Sequence, residues 1–248
     1  MLLRSSLPAA AALFASLSAF VLGAPLRAAP SLQALQGALN SDSSSALQAV
    51  LQSGAGLDPA VVLQRRDWLR AQFPDASWQV SPGSTLKDGR ATTEVNVRGS
   101  RQQGAYKFFF EASQTLVLGS SGDHFNSQEV IQESSTLRSG DPNLKVSLLI
   151  PDAVLTGQRY DLDVVFDDPL NGAVVAGAIK PVSVSELLRM QAPDLQLEAL
   201  GGGGLFKSVQ APFQPGSQTW AVLLVHPKGI VAASKQVRVV ASKTELKL

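Results

Sequence analysis

Residues 74–98 run Pro-Asp-Ala-Ser-Trp-Gln-Val-Ser-Pro-Gly-Ser-Thr-Leu-Lys-Asp-Gly-Arg-Ala-Thr-Thr-Glu-Val-Asn-Val-Arg. Ahead of this stretch apolar residues recur at helical spacing, and after it they recur at every second position. Trp78 and Val80 begin a strand, and Lys87-Asp88-Gly89-Arg90 carries the Asp-Gly pair that favours a tight hairpin. Thr93, Val95 and Val97 then alternate with Glu94, Asn96 and Arg98. The apolar period changes from 3.6 to 2 near residue 76, so helices come first and a sheet follows.

Working back from this point, Leu32, Leu35 and Leu39 and then Leu47, Val50 and Leu51 have helical spacing, with a break at Ser41 and Asp42. Asp58-Pro59 supplies a capping residue with proline at the first helical position. The helix it opens carries Val62, Leu69 and Phe73 along one side with Val61 and Trp68 beside them, and Pro74 ends it. Arg65, Arg66 and Arg70 on this helix are expected to form a solvated face.

Working forward, Tyr106, Phe108 and Phe110 share one strand face, with Lys107, Phe109 and Glu111 on the other. A turn is expected at Ser113-Gln114, a short strand over Leu116 to Leu118 and a last one from about Asn126 to Leu137. Such a four- or five-stranded antiparallel meander buries its apolar side by curving around the helix of Trp68 and Phe73. Ser139-Gly140-Asp141-Pro142-Asn143 is turn-forming and marks a boundary. Beyond it, short strands are expected at Val146–Ile150, Ala153–Leu155, Tyr160–Phe166, Val174–Val182, Leu195–Ala199, Leu205–Ala211, Thr219–Val225 and Ile230–Val240. Ser183 and Glu186 have capping-box spacing and open one short helix through Leu187, Leu188 and Met190. About seven short strands with Gly/Pro turns call for two sheets packed face to face.

The element order over residues 31–140, helices and then a curved meander, resembles the NTF2-like and cystatin-like α+β folds. The segment Leu155-Thr-Gly157-Gln-Arg-Tyr160-Asp-Leu162-Asp-Val164 is similar to the start of the second strand in immunoglobulin-like modules of bacterial surface proteins. The expected class is therefore α+β: N-terminal helices on a curved antiparallel meander (31–140), then an all-β immunoglobulin-like sandwich (145–241). The NTF2-like resemblance implies a cone-shaped space between helix and sheet, which Trp68, Trp78, Tyr106, Phe108 and Phe110 would line as a ligand pocket or fill as packed core. Enzymes of that family place an Asp, His or Tyr at the cavity floor, and here only Tyr106 or Asp123-His124 offers such a group.

Composition narrows the function. The chain of 248 residues is 45% hydrophobic and 17% charged, with a formal net charge of +1. Without Arg4, the one charge before residue 24, 20 basic residues face 20 acidic ones. Nucleic-acid binders draw affinity from a basic excess, so no nucleic-acid partner is expected. There are no cysteines, which removes disulfides, thiolate metal sites and thiol nucleophiles. Arg4 followed by the apolar run Leu7 to Leu22 has the build of a secretory signal, residues 1–23, too short to span a bilayer. Cleavage is expected after Gly23, with Ala28 or Ala29 as poorer alternatives; an uncleaved anchor would leave the same domains outside a membrane.

No reactive constellation emerges. Gly201-Gly-Gly-Gly204-Leu-Phe-Lys207 has Phe206 where a phosphate-binding loop needs glycine. Asp161, Asp163, Asp167 and Asp168 divide between a strand face and a turn, so they do not make a calcium loop. His124 and His226 lack a serine elbow or a zinc-binding helix. The expectation is an exported, periplasmic or extracellular, non-enzymatic binding or interaction protein of the cell envelope. Its partner would be an envelope protein, a peptide or a small apolar ligand, with no cofactor, no metal and no transmembrane span in the mature chain. The alternatives are an NTF2-like enzyme moving protons through Tyr106 or Asp123-His124, or an architectural module of an envelope assembly.

Overall fold

The structure is a computed structural model that describes residues 29–247; the expected signal segment lies outside the described residues. Three helices open it: α1 (Leu32–Asn40), α2 (Ser44–Gln48) and α3 (Pro59–Gln72). Both long helices start on side-chain caps. Ser31 accepts from the Ala34 amide and Asp58 from the Ala60 amide, so each relieves an amide without an intrahelical partner. Four long strands follow: β1 (Ser77–Thr85), β2 (Ala91–Gln103), β3 (Tyr106–Ser121) and β4 (His124–Gly140). Next come β5 (Val146–Leu149), β6 (Ala153–Leu155), β7 (Arg159–Phe166), β8 (Ala176–Val182), α4 (Val184–Arg189), β9 (Glu198–Ala199), β10 (Gly204–Gln210), β11 (Gly216–His226) and β12 (Gly229–Val240). The fold is thus β-rich and mainly antiparallel behind N-terminal helices, and none of the helices is long and apolar enough to cross a membrane among the described residues.

Two sheets carry the strands. The larger has the order β1-β2-β3-β4-β12-β11-β8-β9, with β6 joining β12 in parallel, and the smaller has the order β10-β7-β5. The larger sheet therefore runs without a break from the expected first domain into the second, through the pairing of β12 with β4. Its two faces are covered differently. One cross-strand row runs Trp78, Val97, Ala112, Ser135, Ser234, Ala221. At its Trp78 end it packs with Leu35, Ala38, Leu39 and Leu47 of the helices. The adjacent row runs Arg98, Glu111, Thr136, Ala233, Val222, Ile179, and at its far end it packs on Leu162 and Val164 of the smaller sheet. Directly paired residues share a face, so the helices and the smaller sheet lie on opposite sides of the larger one. Each cluster is contiguous, one over residues 35–125 and one over 144–239.

Several expectations need correction. β3 is continuous through Ser113-Gln114, because both residues pair in the ladder with Asn96 and Val95 on one side and Ser134 and Glu133 on the other. The meander thus has four strands. The sheet does not curl around the Trp68 side of α3: Trp68 points outward, 39% exposed, and α1 supplies the residues packed beside Trp78. Of the arginines expected to form a solvated face, Arg65 is exposed, but Arg66 and Arg70 are not. Arg66 is 3% exposed and donates through Nη1 to the carbonyls of Ser41 (3.1 Å), Ser43 (3.3 Å) and Ala38 (3.4 Å). It stands where α1 ends and needs donors for its last carbonyls. Arg70 lies over the Trp78 ring, 5.5 Å from its centroid, and pairs with Asp42. Gly99 in β2 lets α3 end this close to the sheet, since a Cβ there would stand 2.8 Å from Phe73 Cβ.

Candidate binding cleft

The aromatic residues expected to line a pocket separate into different surroundings. Trp78 is buried beneath Arg70 in the helix-side core, and Trp68 is on the outside of α3. Phe110 stacks on Phe73, with ring centroids 5.0 Å apart and an interplanar angle of 15°. Arg101 then sits between Phe73 and Phe108, 5.4 Å from each ring. Phe73, absent from the expected pocket set, fills the space beside Phe110. Tyr106 stands at the hairpin end, 67% exposed. His124 lies at the opposite end of β3, roughly 50 Å away by strand rise, its Nδ1 2.7 Å from Asp123. Tyr106 and the Asp123-His124 pair therefore lie at opposite ends of the sheet. Among the described residues no three His, Asp or Glu side chains gather as a metal site.

A different region stands out when the sheet edges are compared. An edge strand presents unpaired amides and carbonyls, and folded proteins commonly cover or blunt it. β1 is covered: Asn40 accepts from the Trp78 amide (2.9 Å) and donates to its carbonyl (2.7 Å), and Gln36 accepts from the Val80 amide (2.8 Å). The next outward position is Pro82, which has no donor. β5 is only four residues long and runs into Ile150-Pro151. β8 pairs with β9 at Ala176 and Gly177 alone. After that, Ile179 is its next outward residue, followed by Pro181.

β10 is the exception. Its neighbour is β7, and the bonds from Phe166 N to Gly203 O and from Ala211 N to Gln158 O fix the odd-numbered residues as those bonded to β7. Phe206, Ser208 and Gln210 therefore turn their amides and carbonyls outward. Among the described residues no strand pairs with that edge, and no proline interrupts it.

The edge opens onto a cleft. Between Gly177–Lys180 of β8, residues 194–198 and Leu205–Lys207 of β10 lies a depression of about 490 Å³. It exists because the chain joins β8 only at Glu198, so Gln196, two residues earlier, does not take the place opposite Ile179 that the register would give it. Gly177 keeps the floor closed: a Cβ there would meet Leu224 Cδ2 at 2.7 Å and Leu205 Cδ1 at 3.2 Å. On the inner side of β10, Lys207 stands opposite Leu162, between Leu205 and Val209. Its Nζ lies 6.0 Å from the Trp220 ring centroid. Among the described residues it forms no ion pair. Phe206, on the outer side, is 64% exposed.

The wall behind Lys207 is rigid. The Trp220 indole donates to the Tyr160 hydroxyl (3.0 Å), which donates to Gln218 (2.8 Å), so hydrogen bonds tie β7 of the small sheet to β11 of the large one. Burial pushes the Tyr160 phenol above its ordinary value, and the indole hydrogen bond opposes that shift. Sequence reading placed Leu205 to Ala211 as a strand and weighed Lys207 only against a phosphate loop. The signal available was a strand without proline and with a lysine at an inward position.

A family described as a domain of unknown function (DUF8623) matches residues 141–240, which span β5 through β12 and less than half of the chain. No curated protein matches the chain.

Proposed function

We propose that this chain is an exported, non-enzymatic binding protein of the cell envelope that holds its partner in the cleft between β8 and β10. The observation that carries this is the unpaired edge of β10 opening onto a preformed depression, on a molecule whose other long edge, β1, is covered by side chains. An interaction site on a rigid two-layer scaffold needs little reordering when the partner arrives. Arg4 and the apolar run after it support export. In this reading the C-terminal layers are an immunoglobulin-like sandwich presenting the partner surface. The N-terminal half is an NTF2-like or cystatin-like unit whose helix–sheet interior holds packed side chains around Trp78 and Phe73.

A photo-crosslinking amino acid at Phe206 in the full chain, expressed in its own cell, tests the proposal. The expected result is a discrete covalent adduct from Phe206 in the envelope fraction and none from a probe at Trp68. Equal labelling at both positions, or retention of the chain in the cytoplasmic fraction, would contradict it.

A further inference from the structure

Resting on that binding reading, we infer that the occupant of the cleft is an extended segment of another protein that adds as a strand to β10 and carries an acidic residue between two apolar ones. The outward amides and carbonyls of Phe206, Ser208 and Gln210 give a guest strand a ladder of main-chain hydrogen bonds, the source of affinity in strand addition. Side chains supply the selectivity. A guest residue directly opposite Lys207 shares its inward face at about 5 Å between Cβ atoms. Lys207 is exposed at the cleft wall, near the Trp220 ring, and has no carboxylate partner among the described residues. A carboxylate there completes a cross-strand ion pair.

The guest residues two positions to either side face Leu205 and Val209, which pack against the core, so they are apolar. The motif is apolar-x-acidic-x-apolar. Asp194 and Glu198 lie across the cleft on the 194–198 segment; they disfavour a second acidic residue on the guest's far side.

The test uses the full chain and a displayed library of linear twelve-residue peptides. Selection on the native protein is expected to enrich the apolar-x-acidic-x-apolar pattern, and Lys207→Glu to weaken a selected peptide about 10-fold. Selection on Lys207→Glu should enrich a basic residue at the central position. Ser208→Pro removes one outward amide and should abolish capture; its melting curve reports whether it folds, and the charge swap stands without it. Peptides that lack the acidic centre, or whose affinity ignores the charge swap, overturn the inference while leaving an adduct at Phe206 to uphold the binding reading. Concentration-dependent dimers that Ser208→Pro disperses would identify a second copy of this chain as the occupant and overturn it too. A selection that enriches nothing also overturns it.

Discussion

Replacing Arg66 with alanine removes the one donor that serves three main-chain carbonyls at the end of α1. The ion pair with Asp67 contributes little to the loss, because that carboxylate is more than half exposed and such pairs yield under about 1 kcal/mol. The larger part is the carbonyls of Ser41 and Ser43, which lose this donor while the Ala38 carbonyl keeps the Ser41 amide, and the volume that the buried side chain leaves. Hydrogen bonds to a charged donor contribute about 1.5–3 kcal/mol. Here a single nitrogen is shared among bonds of 3.1–3.4 Å, so the three together amount to about 3 kcal/mol rather than three full bonds. With a urea slope of about 3 kcal/mol per molar, the transition involving the helix layer moves down by about 1 M. Urea titration followed by tryptophan fluorescence measures it. Asp67→Asn should shift the midpoint by less than a third as much. If Arg66→Ala unfolds within 0.2 M of the native chain, or Asp67→Asn costs as much, the account of a buried cap on α1 is wrong.

Further outcomes follow from the same structure. The carboxylate of Asp75 accepts from the Ser100 hydroxyl and amide, that of Asp88 from the amide and side chain of Arg90, and that of Glu186 from the hydroxyl and amide of Ser183; all three are held below their ordinary range. Folded values below unfolded ones mean that their contribution is complete above about pH 5 and fades as the pH falls through the folded values. Calorimetric melting temperatures should therefore drop below about pH 4, and a flat profile down to pH 2 would refute this. Tyr160 has the opposite sign: its raised value favours the protonated fold, so stability falls above about pH 10, and Tyr160→Phe should remove that alkaline limb while loosening the contact to Trp220 and Gln218. Continuity of the large sheet is tested by Ser135→Cys with Ser234→Cys in a chain that has no other cysteine. The two hydroxyls are 2.7 Å apart, and paired Cα atoms near 5.5 Å suit a disulfide, so the oxidised double variant should close the bond and keep its melting profile. Failure to oxidise would separate β4 from β12.

What the sequence revealed was what is local. The Ser183 and Glu186 capping box forms as spaced, the Asp88-Gly89 turn joins β1 to β2, and the alternating runs at Tyr160–Phe166 and Ile230–Val240 are strands. Ser113 and Gln114 looked like a turn because small polar residues fit one; in a 16-residue strand they simply occupy a half-buried part of the ladder. Arg66 was misjudged because its partners are carbonyls 23–28 residues away, which leave no mark on side-chain pattern. The pairing of β4 with β12 joins residues as far apart as Ser135 and Ser234, 99 positions away, and periodicity says nothing about which strand meets which. The cleft was invisible for the same reason: an open edge is a property of what fails to pair with it.

The open edge of β10 is most directly tested by amide hydrogen exchange resolved to single residues in the free protein. Leu205, Lys207 and Val209, bonded to β7, should exchange slowly, and Phe206, Ser208 and Gln210 quickly, in strict alternation. Uniformly slow exchange from residue 205 to 210 would mean that something already covers the edge, and the cleft would then have no strand to offer a partner.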